Sequence, residues 1–308
     1  MNGPENIPFL KKSMLAGVMA LAALDANALN IVANFDPAGS VTSAEQTAFN
    51  YAAQQYESLF SNNMTVTIDV NGNLSGPNTL GKSSWFYYTG SYSTISTAIN
   101  TRYGAQVLPA ASPAPSGSTY ALTAADDKAL GLTTNTNSTE VDGTFSFNGS
   151  LSYTTDPNNQ SVSGKYDFIG VAEHEISEIL GRVSGLTQTN PFLAPMDLVR
   201  YTAPGVNSFS SSATGVYFSL NGGATNLQGF NSTAGGDLQD WNGSNLADAY
   251  NAFLSSGQAL SISSADIAAL QYLGYKVAEP VPLPATAWLF ASACLGMGAF
   301  GRRRNQSH

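Results

Sequence analysis

The sequence predicts an α+β protein, and two observations carry the prediction. The body, residues 29–279, opens with a strand, a helix and a second strand in direct succession. Its strongest helical pattern, over Tyr166–Arg182, then follows a stretch rich in strand-forming residues. No motif recurs at a fixed period, so we expect one domain with a cleft rather than an array of repeats.

The first half of the body has the clearest element signals. Asn30–Phe35 is a short strand, and Thr42–Phe60 is a helix that opens with overlapping capping boxes, Thr42 with Glu45 and Ser43 with Gln46. Residues 109–118 contain three prolines and form a loop. The remaining predictions are strands at Met64–Val70 and Ser84–Tyr88 and helices at Ser93–Tyr103 and Ala124–Leu130.

The second half of the body surrounds the long helix. The pair Asn148-Gly149 favours a tight turn, so Thr144–Asn148 and Ser150–Tyr153 are predicted to form a hairpin. After the helix at Tyr166–Arg182, the pattern predicts strands at Asp197–Tyr201 and Val216–Leu220 and helices at Leu246–Leu254 and Ala265–Leu273.

Residues 1–28 have the pattern of a secretory signal peptide. Lys11 and Lys12 form a basic start, Met14–Leu24 is an apolar run too short to span a membrane, and small residues close it at Ala26–Ala28. We predict export of the body with cleavage after Ala28.

Residues 280–308 have the pattern of a membrane-sorting tail. Pro282-Leu283-Pro284 precedes an apolar stretch that predicts a single transmembrane helix over about residues 283–301. Arg302-Arg303-Arg304 follows and is expected to stay on the cytoplasmic side. The chain would therefore be held at the inner membrane by its tail, with the body outside the cytoplasm.

This tripartite end resembles the PEP-CTERM sorting signal of Gram-negative bacteria that secrete exopolysaccharide. Here Pro282-Leu283-Pro284 stands where the family has Pro-Glu-Pro. The resemblance implies an exosortase-type processing enzyme as a partner and a final location at the cell surface or outside the cell.

Composition excludes several kinds of function. The body carries 7 Lys and Arg residues against 19 Asp and Glu residues, so it is a poor match for the phosphate backbone of nucleic acid. The one cysteine, Cys294, lies in the tail and allows no intramolecular disulfide. No Gly-rich phosphate loop and no Gly-x-Ser-x-Gly nucleophile elbow occurs.

Candidate metal-binding and catalytic residues lie in one segment, Glu173 to Arg182. His174 and Glu178 are four residues apart and therefore share one side of a helix, with Glu175 directly after the histidine. This spacing is typical of helices that bind zinc and use the intervening glutamate as a general base. The alternative is a solvated polar face on which Glu178 and Arg182 form a weak pair.

The segment resembles the zincin helix and, through Gly181, the longer metzincin motif. The resemblance implies a metzincin-like mixed sheet, His174 and Glu178 as Zn²⁺ ligands and Glu175 as catalytic base. Glu178 replaces the family's second histidine and Ser184 its third. A third ligand would be a carboxylate; Asp197 is the first choice, with Asp237 and Asp240 as alternatives.

The sequence therefore leaves two functions open. The first is an exported zinc metalloprotease that cleaves peptide substrates. The second is a non-catalytic secreted or surface protein that keeps the same scaffold and contacts the exopolysaccharide matrix or biofilm through its Ser-, Thr- and Asn-rich surface.

Overall fold

A computed structural model describes residues 28–76, 79–188, 191–243 and 245–279. Within them the protein is α+β, as predicted, with five α-helices and a four-stranded mixed sheet. Helices α1 to α5 are Ser43–Leu59, Tyr92–Tyr103, Ala124–Leu130, Phe168–Ile179 and Ser264–Tyr272. Strands β1 to β12 are Leu29–Phe35, Met64–Asn71, Gly81–Trp85, Tyr87–Gly90, Tyr120–Thr123, Val141–Phe147, Tyr153–Thr154, Tyr166–Asp167, Arg200–Ala203, Val206–Asn207, Tyr217–Phe218 and Gln228–Gly229.

The main sheet has the strand order β1-β2-β6-β3. Strands β1, β2 and β6 are parallel, and β3 runs antiparallel to β6 at one edge of the sheet. Phe86 interrupts the strand, and the chain continues into β4, which pairs with β5. A second, smaller sheet of order β10-β9-β11-β12 lies downstream of α4.

Helices α1 and α4 pack together, and α4 also lies against β3 and β6. Phe49 of α1, Phe145 and Phe147 of β6 and Phe168 of α4 are fully buried, and the rings of Phe147 and Phe168 meet edge to face at 4.9 Å. Each such side chain contributes about 1.5–3 kcal/mol by leaving water. This aromatic core fixes α4 beside the edge strand β3.

The end of the described chain returns to α1. Val277 forms an antiparallel bridge with Phe60, directly after α1, and the amide of Ser61 donates to the carbonyl of Lys276 at 2.8 Å. The hydroxyl of Tyr275 donates to the carbonyl of Leu180 at 2.9 Å, just beyond α4. The C-terminal end of the body is therefore held against the segments that follow α1 and α4.

Six predicted elements match the structure to within one residue at each end. The Thr42–Glu45 capping box is present, with the Thr42 amide donating to a Glu45 carboxylate oxygen at 2.8 Å. Phe86 splits the strand predicted over residues 84–88 in two. The predicted long helix is shorter, because Tyr166–Asp167 pairs as a strand with Tyr153–Thr154 and α4 ends at Ile179.

The predicted hairpin around Asn148-Gly149 is wrong. Strand β6 pairs with β2 and β3 instead of with the residues that follow it. A two-residue turn of the expected type needs positive φ at both central residues, and neither Asn148 nor Gly149 has it. Gly149 instead approaches the carbonyl of Gly72, where an added Cβ would lie at 2.8 Å.

Two further predictions in the second half are wrong. Residues 246–254 form turns and isolated bridges rather than a helix, because the Asp248 carboxylate accepts the Tyr250 amide and replaces a helical bond. Residues 195–199 form a 3₁₀ turn, not the start of a strand, because the Asp197 carboxylate accepts the Ala194 amide at 2.9 Å.

The predicted signal peptide, apart from Ala28, and the predicted sorting tail lie outside the described residues. Within the described ranges no helix has the length and apolarity needed to cross a bilayer.

Candidate metal centre

Helix α4 has a buried polar side. Its N-cap, Asp167, accepts the Ile169 amide at 3.1 Å. The motif side chains are not solvated: Glu175 is 7 % exposed, Glu178 5 % and Arg182 0 %. The alternative interpretation of this side as a solvated face is therefore wrong, and its charges must be satisfied inside the protein.

Three side chains converge on one point. The His174 Nε2 atom lies 3.5 Å from Glu178 Oε1 and 3.3 Å from Asp240 Oδ1. His174 and Glu178 come from α4, as the i, i+4 spacing predicts, whereas Asp240 comes from a loop in the downstream half of the chain. Their ligand atoms all lie within 4.8 Å of one another, so this group could hold a metal ion.

Neighbouring groups orient the two helix residues. His174 Nδ1 lies 3.0 Å from the carbonyl of Ala249, which can only accept, so Nδ1 carries a hydrogen and Nε2 faces the carboxylates. Gln239 donates to Glu178 Oε1 at 2.8 Å, and the Ser83 hydroxyl on β3 donates to Oε2 at 2.5 Å.

Arg182 supplies a buried cation beside the group. Its Nη1 atom lies 2.7 Å from Asp240 Oδ1, and its Nη2 atom lies 3.7 Å from Glu178 Oε1. The Nε atom donates to the Ser177 hydroxyl at 2.7 Å, and the guanidinium carbon lies 4.4 Å from the centre of the Tyr250 ring. A metal ion bound here would share the carboxylates of Glu178 and Asp240 with Arg182.

The charges in the group shift one another's titration. Burial would lower the pKa of His174, but the negative charge of Asp240 raises it well above its ordinary value. Burial would raise the pKa of Glu178, but His174 and Arg182 lower it to about 2. Without a metal, two cations therefore balance the two carboxylates.

Glu175 lines the same cleft as His174 and Glu178. Its carboxylate packs on β3 at Gly81, where an added Cβ would lie 2.6 Å from Glu175 Oε1. Burial and the charge of Glu178 raise the pKa of Glu175 well above its ordinary value. No hydrogen bond holds this carboxyl to another described residue, so it is free to bond to a molecule in the cleft.

The group opens into a cleft of about 670 Å³. Strand β3 forms one side, α4 the floor, and the segment after α4 the other side. Aromatic side chains line one end, where the rings of Tyr87 and Phe192 stack at 5.6 Å and Trp85 meets both edge to face. The cleft thus combines a polar floor with an apolar wall, as small-molecule and peptide sites do.

The structure does not place Asp197 in the group. Its carboxylate is fully buried elsewhere and accepts the Ser184 hydroxyl at 2.6 Å and the Gly185 amide at 3.0 Å. Asp240, one of the two alternatives, takes the third position. Asp237 lines the mouth of the cleft, where burial and the charges of Glu178 and Asp240 raise its pKa to about 6.

The sequence pattern missed the residues that support the group. Gln239, Ser83 and the Ala249 carbonyl lie far from the motif in sequence and belong to no recognisable pattern. The contact of Arg182 with Glu178 is predictable from their i, i+4 spacing, but the burial of Arg182 is not predictable from the sequence.

Comparisons of the chain with protein-family profiles, with curated protein sequences and with solved structures find no match. The resemblance to metzincins therefore rests on the motif helix and the order of elements, and it stays a prediction. Independently of that resemblance, the structure has an α+β fold in which α4 supplies two of the three residues that could hold a metal ion.

Proposed function

We propose that the protein is an exported zinc metalloprotease. The observation that carries the proposal is the convergence of His174, Glu178 and Asp240 beside Glu175 at the floor of one cleft. The three residues come from two separate segments, so helix periodicity alone does not explain their meeting.

The donor set suits zinc. One imidazole nitrogen and two carboxylate oxygens are ligands that Zn²⁺ accepts, and a catalytic zinc site keeps three protein ligands and one open position. The Ala249 carbonyl on His174 Nδ1 is the outer partner that metal-bound histidines usually have. A zinc site with two carboxylates is more negative than a site with three histidines, and the positive charge of Arg182 offsets part of that difference.

Each side chain then has a defined task. Zinc in this position would polarise a peptide carbonyl and make nearby water more acidic. Glu175 would take a proton from that water and pass it to the leaving amine. Strand β3 has only one neighbour in the described sheet, so its other edge offers backbone groups to an extended peptide.

Metal content tests the site. Purified protein dialysed against zinc should hold one zinc per chain by mass spectrometry of the metal, and His174→Ala and Glu178→Gln should each lose it. Glu173→Gln is the matched control, because Glu173 is a buried carboxyl on the same helix but outside the group. Zinc retained by His174→Ala would overturn the proposal.

Hydrolysis of a quenched fluorescent peptide library tests the reaction. Glu175→Gln should keep the zinc but lower the rate by about 10²- to 10⁴-fold, the usual contribution of a general base. An unchanged rate would remove Glu175 from the mechanism even if the metal site is real.

Arg182 favours a second candidate function. Because its charge and that of His174 balance both carboxylates without metal, the cluster is also complete as a structural ion network. A non-catalytic surface protein of the exopolysaccharide matrix would use the fold in this form. This second function predicts no bound zinc and no peptide hydrolysis, so the metal-content and hydrolysis measurements distinguish it from the metalloprotease.

A further inference from the structure

A second cavity, of about 440 Å³, is lined by Phe86 and the residues that follow it. It is bounded by the start of β4, by α3 and by the loop that leads into β6. Tyr87 lines both this cavity and the metal cleft, and no other residue is shared. The two spaces are therefore neighbours, but their chemistry comes from different side chains.

The wall formed by β4 is unusually apolar for a surface. Phe86 is 60 % exposed, Tyr87 55 % and Tyr88 54 %, and the three follow one another in sequence. The Tyr87 ring stacks on Phe192 in the metal cleft, so Phe86 and Tyr88 supply the aromatic wall of this cavity. Single exposed apolar residues are ordinary, but two large aromatic ones that line one cavity indicate a binding surface.

Acidic side chains also line the cavity. Asp127 on α3 and Glu140 in the loop line the cavity, and their carboxylates make no hydrogen bond or ion pair with any described residue. Lys128 also lines it but does not neutralise them. Its Nζ atom is bound to Asp142 at 2.8 Å and to the Thr65 carbonyl at 2.9 Å.

We propose that this cavity binds the ammonium or guanidinium group of a Lys or Arg side chain on a polypeptide. Aromatic faces attract organic cations, and two free carboxylates supply the counter-charge. A neutral ligand such as a sugar would use the aromatic wall but would leave both negative charges without partners. The polypeptide, as the carrier of the cation, rests on the proposed function, because Tyr87 lines both the metal cleft and this cavity.

Two labelled peptides test the proposal, Gly-Ser-Lys-Ser-Gly and the same peptide with norleucine in place of lysine. Norleucine keeps most of the apolar stem and removes the charge. Fluorescence anisotropy with the full-length Glu175→Gln protein should show the lysine peptide binding about fivefold or more tightly, and the difference should shrink as salt is raised.

Variants locate the binding. Asp127→Asn and Glu140→Gln should each weaken the lysine peptide several-fold and leave the norleucine peptide unchanged. Glu279→Gln is the matched control, because Glu279 is exposed and lines neither cavity. Glu140 is also exposed, so its variant folds even if the change on α3 does not.

The outcome is separable from that of the metal proposal. His174→Ala should leave the preference for lysine intact, because His174 does not line this cavity. Equal affinity for both peptides, or displacement of the lysine peptide by a neutral oligosaccharide such as cellopentaose, would overturn the inference whether or not zinc binds.

Discussion

Arg182 is the buried arginine of the candidate metal centre. It is fully buried and contacts Asp240 at 2.7 Å, while Ser177 and the Tyr250 ring hold the rest of its guanidinium. Breaking a buried pair by removing one partner leaves an uncompensated charge, which costs more than the pair contributes.

Arg182→Met should lower the free energy of unfolding by about 3–5 kcal/mol in the absence of metal, because two buried carboxylates lose a cation. Added zinc should restore more stability to this variant than to the unmodified protein, since the metal then has no competitor. Urea unfolding with EDTA and with zinc measures both effects. Arg102→Met, at an exposed arginine, is the control; equal losses in EDTA for the two variants would contradict the prediction.

Asp126 should make the protein less stable as the pH rises. It is fully buried, neither carboxylate oxygen has a hydrogen-bond partner among the described residues, and burial raises its pKa well above the ordinary value. The folded state therefore holds a proton that the unfolded state releases above about pH 4, so stability falls as pH rises towards the folded pKa.

Asp126→Asn should flatten this dependence, because the amide does not titrate. Urea unfolding at several values between pH 4 and 8, with EDTA present, measures it. The variant should gain on the unmodified protein as the pH rises. Parallel curves for the two proteins would show that Asp126 is not the group responsible.

At the scale of elements, the local sequence is sufficient to predict a helix where a side chain next to the helix caps its first turn. Helix α1 begins at a capping box and α3 at Thr123, whose hydroxyl accepts the Asp126 amide, so both were predictable from a few adjacent residues. The pairing of β6 was not, although the sequence predicts a strand over Thr144–Asn148. Its partners β2 and β3 lie far earlier in the chain, and pairing with them overrides the local turn signal of Asn148-Gly149.

Gly143 tests how closely β6 approaches its neighbours. An added Cβ would lie 2.6 Å from the backbone carbonyl of Ser84 on β3 and 2.8 Å from Ile179 of α4. Gly143→Ala should destabilise the protein by about 1–3 kcal/mol through overpacking, measured by urea unfolding. Ser146→Ala, at a half-buried position of the same strand, should change stability by less than about 0.5 kcal/mol; a comparable loss there would point to the strand rather than to the glycine contact.

At the scale of the whole molecule, the candidate site divides into a part that sequence can predict and a part that it cannot. His174, Glu175 and Glu178 follow from the geometry of one helix. The choice among Asp197, Asp237 and Asp240 depends on how the chain beyond α4 folds back, and all three are carboxylates in segments without a strong periodic pattern. Only the fold shows that Asp197 binds Ser184 and Gly185, whereas Asp240 reaches His174.

The proposed tail makes a prediction for the whole chain. Expressed in a Gram-negative host that has no exosortase, the full chain should sediment with membranes, because residues 283–301 form an apolar segment long enough to span a bilayer. A chain ending at residue 279 should be found in the soluble periplasmic fraction. Cell fractionation with an antibody to the body measures this, and a soluble full chain would contradict the predicted anchor.

The bridge between Phe60 and Val277 has a consequence for the order of folding. Helix α1 cannot gain its last partner until nearly the whole body has been synthesised, and Leu180, beyond α4, likewise waits for Tyr275. Pairings between such distant residues form slowly, because the intervening chain must first be closed into a loop. The contacts of Phe60 and Leu180 with the end of the body therefore form late, and until then the chain is closer to the open state in which a polypeptide can be threaded through a membrane pore.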